Sequence, residues 1–221
     1  MWSVYTVSLK NRVEPELVKL ADPDPSVRKE TWAKLRRRKL TWDQRNFLKA
    51  LLRHKLRGVR EDAWSHLDFY AEARIDVSTV YRAGSERSRL TAWLHYREAL
   101  KVGVVTEGEL RENSKSFWRL LRSWSPGVMK NAWRLLPSLW ADGLLKDEER
   151  LIRFLEAKKA RVRLLAWETA LELMNRGLLN KEKLLNNLGA LRELAGGESR
   201  ASKRARRILE KFGGDSELIN A

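Results

Sequence analysis

Cysteine is absent from this 221-residue chain, which excludes disulfides and thiolate metal sites together. There is one glutamine, Gln44, and there are only three methionines, although 33% of the residues are charged. Such avoidance of labile side chains points to a thermophilic source. No apolar run approaches the roughly 20 residues that a bilayer-spanning helix needs. The opening MWSVYTVSLKNR has neither a basic n-region nor a continuous apolar stretch, so it does not read as a secretory signal. An intracellular, cytoplasmic protein with no membrane contact is expected. Catalytic signatures are also missing. His54, His66 and His95 form no H-x-x-x-H or HExxH pair, and neither a P-loop nor a Gly-x-Ser-x-Gly elbow occurs. No catalytic residue, metal or cofactor is expected, and the protein is expected not to be an enzyme.

What the chain does have is positive charge. Forty-five Lys and Arg stand against 29 Asp and Glu, for a net charge of +16 and a pI near 10.3. So large an imbalance suits a polyanionic partner. Residues 28–60 concentrate it, with thirteen Lys and Arg against Glu30 and Asp43. At 43% hydrophobic residues the chain can also build a core.

One phrase recurs along the chain: a small or branched residue, often with Arg next, then Ala or Thr, Trp, and an apolar residue three further on. It reads Val27-Arg28…Thr31-Trp32…Leu35, Val59-Arg60…Ala63-Trp64…Leu67, and Ser88-Arg89…Ala92-Trp93…Tyr96. It returns as Val128…Ala132-Trp133…Leu136 and Val162-Arg163…Ala166-Trp167…Ala170, with a worn sixth copy at Ala201…Ala205-Arg206…Leu209. The Trp slots are 32, 29, 40, 34 and 39 residues apart. The first, fifth and ninth positions of each copy fall on one helical face. A second helical segment follows each copy after a short break. Gly103, Gly143 and Gly177 suit helix C-termini, Thr41 with Gln44 and Thr106 with Glu109 have capping-box spacing, and Asp24-Pro25 and Ser125-Pro126 suit helix starts. The repeating unit is an αα-hairpin, and the fold class is an all-α, right-handed α-α superhelix of five to six hairpins. Residues 1–221 read as one repeat domain, with an N-terminal cap (1–23), repeats (24–212) and a tail (213–221). Residues 2–9 alone hint at a strand.

DPDPSVRKETWAKL (22–35) resembles the first helix of a HEAT repeat, with its Asp-Pro, Val-Arg and buried Ala and Leu positions. WRLLPSLWADGLL (133–145) is similar to the HEAT habit of a proline late in that helix, here Pro137. The resemblance covers 22–212 and implies a HEAT- or ARM-like binding scaffold. It also implies that Arg28, Arg60, Arg89 and Arg163 bond between neighbouring repeats.

Trp32, Trp64, Trp93, Trp133 and Trp167 share one register and are expected to be core. Trp140 is expected to be core as well, and Trp124 to staple onto Met129. Trp42, in the first turn of a second helix, has no apolar stripe to join and is expected to be exposed. On that helix Arg45, Lys49 and Arg53 follow i, i+4, i+8, opposite Phe47, Leu48, Leu51 and Leu52. Arg111, Lys115, Arg119 and Arg122 repeat the pattern, and Arg82, Arg150 and Arg153 extend it. A row of cations on second helices suits a phosphate backbone, DNA or RNA, with Trp42 stacking on an unpaired base. An acidic protein or a ribonucleoprotein is the alternative partner. A more distant resemblance is to HEAT-like alkylpurine DNA glycosylases, through Trp64 and Asp68.

Overall fold

The computed structural model describes residues 12–35 and 39–212. The candidate strand at 2–9, Arg36 to Arg38 and the tail at 213–221 lie outside them. Among the described residues there are fifteen α-helices, two 3-10 segments and no strand. The chain is an all-α solenoid of helical hairpins, and it divides into two compact units, residues 1–120 and 121–221.

The first unit opens with α1 (Pro15–Val18) and a 3-10 turn at Lys19–Ala21. Hairpin one pairs α2 (Pro25–Leu35) with α3 (Trp42–Leu51). Hairpin two has α4 (Arg57–Trp64), α5 (Leu67–Glu72) and a 3-10 segment at Ser78–Arg82. Hairpin three has α6 (Glu86–Leu94), α7 (Tyr96–Lys101), α8 (Glu107–Glu112) and α9 (Ser114–Leu120). The repeated first helices α2, α4 and α6 pack in succession. In the second unit α10 (Pro126–Ala141) pairs with α11 (Glu148–Leu155). Next come α12 (Ala160–Asn175), α13 (Lys181–Leu185), α14 (Leu188–Ala195) and α15 (Arg200–Phe212). There α10, α12 and α15 pack in succession.

The repeated tryptophans are the core. Trp32, Trp64, Trp93, Trp133 and Trp167 are each at most 3% exposed, and Trp140 is buried with them. A buried indole N–H needs an acceptor, and the register supplies one in every copy but the first, where Trp32 Nε1 has no partner among the described residues. Trp64, Trp133 and Trp167 each donate to the carbonyl twelve residues earlier, Leu52 (3.2 Å), Leu121 (3.0 Å) and Leu155 (3.2 Å). Trp93 reaches its equivalent, Tyr81, through the Ser116 hydroxyl, which accepts from the indole at 3.2 Å and donates to Tyr81 at 2.6 Å. The repeated arginines grip the same loops two residues on. Arg28, Arg60, Arg89 and Arg163 each donate to the carbonyl six residues earlier, on Asp22, His54, Ala83 and Ala157. Two also bond to the next repeat, as the HEAT resemblance implies, Arg28 to Asp62 and Arg60 to Thr91, whereas Arg163 bonds to Ala190 and Glu193 on α14 of its own hairpin. In the worn sixth copy Arg206 stands in the Trp slot and binds the carbonyls of Ala195 and Gly197.

Several helices depart from expectation. The first helix of hairpin two breaks at Ser65-His66, where the Ser65 hydroxyl and His66 Nδ1–H both donate to the Asp62 carbonyl (2.8 and 2.7 Å). The His66 backbone N–H turns instead to Ala63, an instance of local side-chain bonds competing with the helix ladder. His66 thereby stacks on Trp32 at 4.4 Å, and His95, at the α6–α7 break, stacks on Trp64 at 5.5 Å. The fourth and fifth copies carry Leu135 and Thr169 at that place and run unbroken for 16 residues, with Pro137 inside α10. The second helix of hairpin two shrinks to its 3-10 segment. The segment around 107–120 is two helices that meet at Asn113, whose backbone N–H and side chain both donate to the Glu109 carbonyl.

The expected capping boxes at Thr41 and Thr106 are both formed. Gly103, Gly143 and Gly177 have φ of 74°, 71° and 69°, ten residues after their tryptophans. Each first helix ends there on a pair of bonds, 5→2 and 6→1. Arg74 holds the same place in hairpin two with φ 51°, a conformation that costs a residue with a Cβ about 1 kcal/mol. Arg74→Gly is therefore expected to raise unfolding stability by about 1 kcal/mol in urea titrations. An unchanged or lower midpoint would contradict this account of the helix ends.

Candidate nucleic-acid interface

The capping box at Thr41 starts α3 one residue before Trp42, so the indole lies at the helix's first position. It is 70% exposed, as expected. Arg45 and Lys49 follow it at i+3 and i+7 on one face, while Phe47, Leu48, Leu51 and Leu52 are buried. Helix α3 ends at Leu51, so Arg53 belongs to the loop that follows rather than to the helix.

Arg45 and Arg53 are exposed and have no carboxylate partner among the described residues. Lys49 differs: its Nζ lies 3.0 Å from Asp76 Oδ2, and the side chain is 19% exposed. The expectation of a free cation there fails because the chain turns back 27 residues later and brings a carboxylate alongside. Arg82, at the end of the 3-10 segment, is exposed and unpaired.

The break at Asn113 separates Arg111 from Lys115 and Arg119, so the second stripe is not one continuous helical face. Arg111 pairs with Glu107 at 2.8 Å within α8. Lys115 and Arg119 stand four apart on α9, both exposed and unpaired. In the second unit Arg122 follows α9 and lays its guanidinium 4.7 Å from the Phe154 ring centroid. Arg150 sits near Asp147 and Arg153 near Glu149, both at 3.5 Å. Of the eleven residues, seven are thus exposed without an ion pair among the described residues: Trp42, Arg45, Arg53, Arg82, Lys115, Arg119 and Arg122. Exposed pairs such as Arg153–Glu149 contribute little stability and open readily to a competing anion.

Trp124 corrects the sequence reading. It is 85% exposed and makes no staple, although Met129 is buried. The Lys159 ammonium sits 3.4 Å from its ring centroid. Trp64, by contrast, is closed off. It is 1% exposed, stacked on His95, edge-on to Tyr81 and bonded to Leu52, so it has no free face for a base beside Asp68. Among the described residues, no three His, Asp or Glu gather as a metal site, and no helix is long and apolar enough to cross a membrane.

No family model matches the chain, and no curated protein matches it. Among solved structures it is similar to a designed armadillo repeat protein, YIII(Dq)4CqI, at 16% identity with a TM-score of 0.41, covering 88% of this chain and 97% of that one.

Burial pushes the Asp76 carboxyl up, and hydrogen bonds from Ser78 and Lys49 more than offset it, holding it below the ordinary carboxylate value. Asp76 then contributes stability that is complete above its unfolded pKa, ~4, and is lost as pH falls through the lower folded value. In Asp76→Asn the melting temperature should decline less between pH 5 and about pH 3 than in the wild type. Parallel declines would refute the pair's contribution.

Proposed function

We propose that the protein is a non-enzymatic scaffold that binds nucleic acid through its phosphate backbone, using the cations that its own carboxylates leave free. One observation carries this reading. In a chain of net charge +16, Arg45, Arg53, Arg82, Lys115 and Arg119 in the first unit, and Arg122 in the second, are exposed and unpaired. The repeated arginines are taken up by loop carbonyls. Guanidinium groups suit phosphate oxygens through bidentate bonds, and five of the six free cations are arginines. Lys49, Arg111, Arg150 and Arg153 belong to the same surface set as reserve cations, held in pairs until a phosphate competes. Nothing in the set is arranged to read base edges, so binding is independent of sequence. A cytoplasmic setting fits this reading, and a thermophilic source accounts for the few labile side chains.

The test is anisotropy of labelled DNA and RNA titrated with the protein and with the triple variant Arg45→Gln, Lys115→Gln, Arg119→Gln. The variant should bind at least tenfold more weakly, and the slope of log K against log salt should fall by about one for each phosphate left without its cation. Unchanged affinity and slope would refute the assignment. Binding of no nucleic acid, with an acidic protein co-purifying in fixed ratio, would give the surface to a protein partner.

A further inference from the structure

Nine of the ten tryptophans lie among the described residues, and seven of them are buried. Trp42 and Trp124 are the exceptions, and Trp124 is exposed because of its place in the repeat. It stands nine residues before its buried tryptophan, Trp133. The equivalent residues in the other copies are Pro23, Lys55, Gly84 and Lys158, and every one of them is exposed. The cause is the anchoring just upstream. In the second, fourth and fifth copies the carbonyl twelve residues before the tryptophan takes the indole N–H, and in the second, third and fourth the next residue but one is buried as well. In the fourth copy Leu121 accepts from Trp133, and Ser123 is buried, its hydroxyl accepting the Ser125 N–H at 3.1 Å. The residue that follows can only point out. The largest apolar side chain is thus held at a position that offers it no core.

The surroundings define what could cover it. The Lys159 ammonium lies on the ring at 3.4 Å, and exposed Lys158 and Arg161 flank Lys159 in the chain. Arg122, two residues before Trp124, is also exposed. The one carboxylate in these two loops is exposed Glu156. A cationic ligand is repelled here, and so is a second copy of a chain carrying +16. An aromatic face beside several ammonium and guanidinium groups matches a flat π-system that carries its own negative charge. An unpaired nucleotide has that chemistry, whereas duplex DNA keeps its base faces stacked away.

We infer that Trp124 with Lys159 forms a base-stacking site for single-stranded nucleic acid in the second unit, with Lys158, Arg161 and Arg122 meeting the adjoining phosphates. This rests on the phosphate-binding reading and adds strand type to it.

The test uses the full-length protein with an oligothymidylate of about 15 nucleotides and a duplex of equal length. Trp124→Ala should bind the single strand about tenfold more weakly and the duplex within about twofold of wild type. Trp124→Phe should recover most of the loss, and quenching of protein fluorescence by the single strand should fall in both variants. An unchanged melting temperature is expected, since the side chain packs on no core residue. Wild-type binding to both probes, with Trp124→Ala weakening both equally or neither, overturns the stacking site and leaves phosphate binding standing. No binding of either probe by the wild type overturns both. Trp124-dependent retention of an acidic protein, with no single-strand effect, assigns the site to a protein and overturns the inference.

Discussion

A tie recurs along this chain between most of the first helices and the loops that precede them. An indole N–H closes on a carbonyl twelve residues back, and in most copies a guanidinium closes on the carbonyl two residues further along. The indole bonds are buried and the guanidinium bonds buried or part-buried, so leaving a buried carbonyl unpaired would cost about 1–3 kcal/mol. The loops are consequently held in one conformation relative to the helices they join. In two copies other groups take over the tie's chemistry, Ser116 relaying the Trp93 bond and Arg206 standing in the Trp slot of the sixth.

This tie sorts the two residue types that fill the sequence. Tryptophan and arginine are both common in nucleic-acid-binding surfaces, yet here most tryptophans and the four repeated arginines serve the interior. Arg60 shows how complete the capture is: its guanidinium binds the His54 carbonyl and the Thr91 hydroxyl and is 5% exposed. What remains outside is the functional inventory. Under the proposed reading it consists of the cations of α3, α9 and the inter-repeat loops, together with the two exposed indoles among the described residues, Trp42 and Trp124.

Much of this is legible in the sequence. Register alone identifies the hairpins, the buried tryptophans, the left-handed glycines and both capping boxes, because each depends on residues within about one helical turn or on the repeat itself. What escapes is set by competition or by distance. The break at His66 arises from side chains taking a carbonyl that the helix would otherwise use, which a hydrophobic pattern does not register. Lys49 reads as free because Asp76 lies 27 residues away and meets it only after folding. Trp124 reads as a staple from its spacing to Met129. Aligning it with Pro23, Lys55, Gly84 and Lys158, a row of residues that need no core, marks it instead as outward-facing.

The measurement that bears most directly on this account is the salt dependence of nucleic-acid affinity for the unmodified protein. If the free cations hold phosphates, log K should fall linearly with log salt, with a slope of magnitude about 4 or more for a ligand that spans Arg45, Arg53, Arg82, Lys115 and Arg119. Affinity that is absent at low salt, or flat as salt rises, would contradict it and leave the charge of +16 to some other partner.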